Sequence, residues 1–242
     1  MHNFALVNNW FDQTHRARMD SRWPTMRAAL NLFLQRGGTR IVETGCVRQE
    51  DDYGAGYSSV LFCQVLSRYG GHLWTVDISA DNLSVCARLT DPWAPVRTLT
   101  CQDSVAYLLS LGQPGALDFK QDGMPQVHSG GGGIDLLYLD SYDYPIVPIV
   151  RWLAAQGLPQ EYRQSTDEQI LAEFGHLINP CQAHCLAELQ AAWPQVHDGT
   201  VILIDDNNFP GGGKSRLAKC YLADHGWQCV LDFQQTLWIK GQ

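Results

Sequence analysis

No apolar run in this 242-residue chain approaches the roughly 20 residues that a helix needs to cross a bilayer. A membrane-spanning helix is therefore excluded. Basic residues are scarce: 17 Lys and Arg stand against 25 Asp and Glu, a formal net charge of −8. Nucleic acid and anionic membrane surfaces require a basic footprint, so neither is expected as a partner. A CxxC pair is also missing, and His176, Cys181, His184 and Cys185 lack the usual zinc spacings. The dinucleotide fingerprint GxGxxG is not met, because Gly45 is separated from Gly54 and Gly56 by an acidic insertion. The N-terminal residues lack the basic start and apolar core of a signal peptide. The eight cysteines are thus expected to be reduced, small hydrophobes in a cytoplasmic protein.

Apolar residues make up 45% of the chain and charged ones 17%, which favours a folded domain over disorder. Residues 1–38 read as an N-terminal helical segment, with Pro24 suited to a first turn and Met26, Ala29, Leu30, Phe33 and Leu34 on an apolar face. From Thr39 onward, strand and helix patterns alternate. Strands are predicted at 39–44, 73–77, 96–101, 134–140 and 200–205, with two β segments at 227–231 and 236–240. Helices are predicted at 57–69, 80–89, 103–111, 181–193 and from Gly213 to about His225. The segment 113–133 reads as a polar loop ending in glycines, and 141–180 as an insertion that breaks the alternation. No repeat or linker interrupts 39–242. Such β-α units form one α/β domain whose mostly parallel sheet binds ligands at the carboxyl ends of its strands.

Those strand ends carry chemistry. Glu43, Thr44, Gly45 and Arg48 follow the first strand, and a glycine there frees backbone amides for a ligand. Asp77 closes the second strand, where a carboxylate suits a ribose diol. Asp103 and Ser104 follow the third strand; Asp103 alone also reads as a helix N-cap. Asp140 closes the fourth, and Asp205 and Asp206 the fifth.

The series Glu43-Thr-Gly, Asp77, Asp103-Ser104 and Ile134 to Asp140 resembles the ordered motifs of class I S-adenosylmethionine-dependent methyltransferases, from about Thr39 to Lys240. The resemblance implies a Rossmann-like, doubly wound, seven-stranded sheet with helices on both faces and a C-terminal antiparallel β pair. Glu43-Thr-Gly-x-x-Arg48 with Ile204-Asp-Asp further resembles the macrocin O-methyltransferase-like branch, in which a metal assists methylation of a sugar or natural-product hydroxyl. On that likeness Glu43, Gly45 and Arg48 lie along the methionine moiety, Asp77 holds the ribose, Asp103 and Ser104 meet the adenine, and Asp140 borders the cofactor.

Asp140, Asp205 and Asp206 also suggest a magnesium site. Neighbouring strand ends would bring three carboxylates together, and such a cluster needs a cation, with all-oxygen ligands selecting a hard one such as Mg²⁺. Asn207 competes with Asp205 as third ligand, and capping or turn formation is the bland alternative for this stretch. Metal-assisted relatives carry a Lys or His base three residues after the fourth-strand aspartate. Here that place holds Asp143, so Asp143 and His184, which has Glu188 one turn further on its helix, are both candidate bases. The 141–180 insertion is expected to cover the pocket of a small-molecule acceptor as a lid. The N-terminal helix is a candidate surface for homo-oligomerisation. Two other readings remain: a cephalosporin-hydroxylase-like metal enzyme on the same sheet, and a non-catalytic S-adenosylmethionine-binding module that has lost its base.

Overall fold

In a computed structural model, residues 4–50, 57–113, 115–118, 133–155 and 167–241 are described. Gly54, Gly56, most of the 113–133 loop and the middle of the 141–180 insertion lie outside them. The order of elements begins with α1 (Phe4–Met19), α2 (Trp23–Gln35), β1 (Arg40–Thr44), α3 (Ser58–Tyr69), β2 (His72–Asp77), α4 (Ala80–Leu89), β3 (Arg97–Cys101) and α5 (Ser104–Ser110). It continues with β4 (Ile134–Leu139), α6 (Ile146–Ala155), α7 (Asp167–Ala192), β5 (Val196–Ile204), α8 (Arg216–Asp224), β6 (Trp227–Asp232) and β7 (Thr236–Lys240).

The seven strands form one sheet in the order β3-β2-β1-β4-β5-β7-β6. Strands β1 to β5 run parallel, whereas β7 lies antiparallel between β5 and β6. This is the Rossmann-like α/β architecture expected from the sequence, including its terminal antiparallel pair. The strand order reverses between β1 and β4, which opens a crevice outside their carboxyl ends.

Side chains alternate across the sheet as the pleat requires. Ile41, Leu136, Tyr138, Val201 and Leu203 meet α2 and α3 in one apolar core. Val42, Leu137, Leu139, Ile202 and Ile204 face α5, α7 and α8 in the other. Phe11 and Met19 of α1 join the first core beside Met26, Leu30 and Phe33 of α2, so the N-terminal helices are packed onto the sheet.

One helix departs from expectation. Helix α7 begins at Asp167 and continues through Pro180, where the sequence pattern starts a helix only at Cys181. Proline removes one backbone donor and orphans the carbonyl four residues earlier. Pro180 and His176 are both exposed, so that carbonyl can be hydrated and the helix persists. With α6 it builds a satellite core of Tyr144, Ile149, Leu153, Ile170 and Ile178, against which Phe209 packs. Among the described residues no helix is long and apolar enough to cross a membrane.

Candidate active site

The turn after β1 begins at Gly45, whose φ is 78°. A Cβ there would lie 2.4 Å from the backbone oxygen of Asp140, so only glycine lets the ends of β1 and β4 approach this closely. Glu43 is fully buried. It accepts hydrogen bonds from Ser58 Oγ at 2.5 Å, Ser59 Oγ at 2.7 Å and Thr75 Oγ1 at 2.8 Å. Burial pushes its carboxyl up to about 8 against the pull of these hydroxyls. Glu43 therefore anchors α3 and β2 from beneath the crevice, and its carboxylate points into protein.

Asp77 ends β2 with its carboxylate accepting from the backbone N–H of Ser79 at 2.7 Å and from the Asn82 amide at 3.3 Å. The Cys46 thiol donates to it at 3.4 Å. Beside it the apolar side chain of Ile78 is 75% exposed. Asp103 caps α5 by accepting from Ala106 N–H at 2.9 Å. Ser104 Oγ lies 3.0 Å from His184 Nε2.

His184, on α7, also stands 3.5 Å from Glu188 Oε1, and Ser141 Oγ donates to the same oxygen at 2.5 Å. The hydrogen bond to Glu188 raises the His184 pKa against the opposing effect of burial. These four residues link the β3 and β4 turns to α7. Asp143 is placed differently: Arg48 Nη1 donates to its two oxygens at 2.8 and 2.9 Å, and the Asp143 side chain is 79% exposed. Arg48 and Asp143, one expected at the cofactor and the other as a base, thus meet each other at the rim.

The three predicted metal ligands do converge. Tyr138 O–H donates to Asp205 Oδ2 at 2.6 Å and to Asp140 Oδ2 at 3.3 Å, tying the β4 and β5 ends together. Asp206 takes a positive φ of 49°, and its N–H donates to Asp205 Oδ1 at 2.7 Å. The cluster already contains two cations of the chain. Arg22, between α1 and α2, donates from Nε to Asp205 at 2.9 and 3.0 Å and from Nη2 to Asp206 at 3.4 Å. Lys214 Nζ donates to Asp140 Oδ1 at 2.6 Å and to the Tyr142 carbonyl at 3.2 Å, and pairs with Asp206 Oδ2 at 3.4 Å.

The charges respond to this arrangement. Burial opposes the charged form of Lys214, but Asp140, Asp206 and Asp205 outweigh it and raise its pKa. Burial pushes Asp140 up to about 8, with Lys214 pulling down and Asp205 and Asp206 pushing up. Asp205 stays below the usual carboxylate range, because Arg22 and Lys214 overcome its burial.

This geometry does not show the magnesium site expected from the sequence. Three carboxylates do require positive charge, but Lys214 and Arg22 supply it: Asp140 Oδ1 and the oxygens of Asp205 and Asp206 face their nitrogens, while Asp140 Oδ2 faces the Tyr138 hydroxyl. Among the described residues no group of three or more His, Cys, Asp or Glu side chains is arranged to hold a metal. Asn207 is pinned elsewhere, donating to Asp232 and Phe233 O at 2.6 Å while accepting from Ser215 at 2.6 Å and Lys219 at 3.2 Å. It belongs to the support of the β6–β7 turn.

Sequence reasoning missed both Lys214 and Arg22. For Lys214 a signal existed in the three preceding glycines, which all take positive φ. A Cβ at Gly213 would come within 2.3 Å of the Asp206 carbonyl oxygen. The Lys214 N–H donates to that oxygen at 3.0 Å, closing the loop so that the lysine folds back over β4. Gln182 of α7 braces it by donating to the carbonyls of Gly211 and Gly213 at 3.0 and 2.9 Å.

No family model and no curated protein matches the chain, but solved structures do. The S-adenosylhomocysteine-bound Podospora anserina methyltransferase PaMTH1 is 12% identical with a TM-score of 0.51, covering 100% of this chain and 89% of that one. The calicheamicin methyltransferase CalS11 is 14% identical with a TM-score of 0.53, covering 99% and 86%. An apo structure of CalS11, described as a TDP-rhamnose 3′-O-methyltransferase, gives 13%, 0.52, 99% and 86%. At such identities the likeness concerns architecture, and the chain shares the Rossmann-like fold of these methyltransferase structures.

Proposed function

We propose that the protein is an S-adenosylmethionine-dependent methyltransferase that acts on a hydroxyl of a small molecule such as a sugar or natural product. The observation that carries this reading is the pairing of Asp77 with exposed Ile78 at the end of β2, beside the Gly45 turn. A carboxylate next to an exposed apolar side chain suits the diol and the base of a nucleoside. The shared fold supports the cofactor class. The sugar O-methyltransferase CalS11 among the similar structures, together with the Glu43-Thr-Gly-x-x-Arg48 and Ile204-Asp-Asp motifs, supports a hydroxyl acceptor and the macrocin-like branch.

When bound, the cofactor supplies an electrophilic methyl group on a sulfonium. The chain's part is mostly positioning, which governs an in-line displacement. Asp77 accepts from the ribose, Ile78 covers the base, and Ser104, held by His184, lines the adenine side. In its ionised form Asp140, at the β4 end, takes the proton of the acceptor hydroxyl. Asp143 steadies Arg48 at the rim, and His184 with Glu188 orders the β3 and β4 turns. Mg²⁺ has no part in this scheme, since the carboxylates face Lys214 and Arg22.

Calorimetry with S-adenosylhomocysteine, followed by methyl transfer from labelled S-adenosylmethionine to a sugar panel, tests the reading. One saturable site is expected, and Asp77→Ala should weaken it at least tenfold. Absence of binding by both S-adenosylmethionine and S-adenosylhomocysteine would refute the proposal.

A further inference from the structure

Resting on the methyltransferase reading, we propose that Lys214 is the resident cation of the acceptor site, its ammonium standing inside the Asp140–Asp205–Asp206 cluster where the sequence pattern assigns a divalent ion. The contacts suit that part. An ammonium has three N–H donors, and Nζ has three oxygen neighbours: Asp140 Oδ1, the Tyr142 carbonyl and Asp206 Oδ2. The Lys214 side chain is 2% exposed, so its donors face protein oxygens. Arg22 pairs with Asp205. Two cations of the chain therefore stand among the three acidic side chains.

Delivery of the lysine is built into the fold. The Gly213 turn, the bond from Lys214 N–H to Asp206 and the Gln182 brace fix the backbone from which the side chain reaches β4. A dication could enter only by displacing a positive group held by these three oxygens. A water-coordinated Mg²⁺ is mobile and exchangeable, whereas this ammonium is covalently part of the chain.

The consequence is a substrate class. Asp140 and Asp206 keep 18% and 15% exposure, so carboxylate edges face the crevice. They accept hydrogen bonds from a donor-rich neutral acceptor such as a vicinal diol of a sugar. A chelating anion such as a catecholate or a keto acid would find carboxylates in place of a metal and be repelled. Lys214 is a positioning residue here: it sets the carboxylates, and they meet the acceptor.

Manganese binding to the full chain, read from loss of the free Mn²⁺ signal in electron paramagnetic resonance, tests this without reference to turnover. Wild-type protein and Lys214→Arg should show no stoichiometric site at concentrations up to about that of the protein-saturating range for exposed carboxylates. Lys214→Ala should gain one site at least tenfold tighter than any in wild type, and adding Asp140→Asn should remove it. A single wild-type site abolished by Asp140→Asn would overturn the proposal, because the ammonium would then yield to metal. So would a cooperatively melting Lys214→Ala protein that acquires no site. The wild-type arm decides the matter even if Lys214→Ala fails to fold. S-adenosylhomocysteine affinity, measured on the same preparations, separates failure of this inference from failure of the methyltransferase reading.

Discussion

Replacing Arg22 by Met removes the guanidinium from Asp205 while retaining most of the side-chain length. Asp205 is fully buried and Arg22 is 11% exposed, so the pair is screened little by solvent. Breaking one partner of a buried pair costs about 3–5 kcal/mol, because the remaining charge is left uncompensated. Asp205 would keep the Tyr138 hydroxyl and the Asp206 N–H, with Lys214 nearby, which places the expected loss near the lower end, about 3 kcal/mol. For a chain of this size that corresponds to a fall in Tm of about 6–12 °C. Urea unfolding at pH 7 and at pH 3 is the assay. The folded Asp205 has a depressed pKa, so its contribution is present above the unfolded value of about 3.9 and is lost as pH falls through the folded value. The destabilisation by Arg22→Met should therefore be large at pH 7 and shrink by pH 3. The double variant Arg22→Met/Asp205→Asn should recover most of the loss. A pH-independent loss below about 1 kcal/mol, as for an exposed pair, would refute the reasoning.

Glu43→Gln should flatten the pH dependence of stability. The folded carboxyl is raised from 4.5 to about 8, so wild-type stability falls as the unfolded chain ionises between those values, and denaturant melts from pH 5 to 8 would show the variant losing that slope. Glu188→Gln should lower the NMR titration midpoint of His184 towards 6.5, because Glu188 is the main cause of its upward shift. His184 stabilises most below its unfolded pKa, and that increment, lost as pH rises through the folded value, should be smaller in the variant; an unchanged midpoint would dismiss the pairing. Gly45→Ala should cost at least about 2 kcal/mol in a urea melt, since its Cβ would meet the Asp140 backbone; near-wild-type stability would show that the β1 and β4 ends part easily.

The residues that sequence periodicity reads well are those whose structure depends on near neighbours. The almost continuous apolar run of β4 marks a strand buried on both faces, and Asp77 and Asp140 fall at strand ends because α/β units place them there. Pro180 misled for a local reason, since its orphaned carbonyl sits where water can reach. Glu43 was legible as a strand-end acid, but its inward rotation depends on Ser58, Ser59 and Thr75 from two other elements.

Sequence by itself determined the α/β alternation, the acidic residues at the strand ends and the need of three carboxylates for positive charge. Only the tertiary structure decided where that charge comes from. Lys214 lies 74 residues from Asp140, and Arg22 lies 183 from Asp205. No periodicity spans such distances. The partners are set by a glycine loop folding back over β4 and by the N-terminal helices docking on the sheet. Charge demand is a property of composition and strand order, whereas the identity of the counter-charge is a property of how distant segments pack.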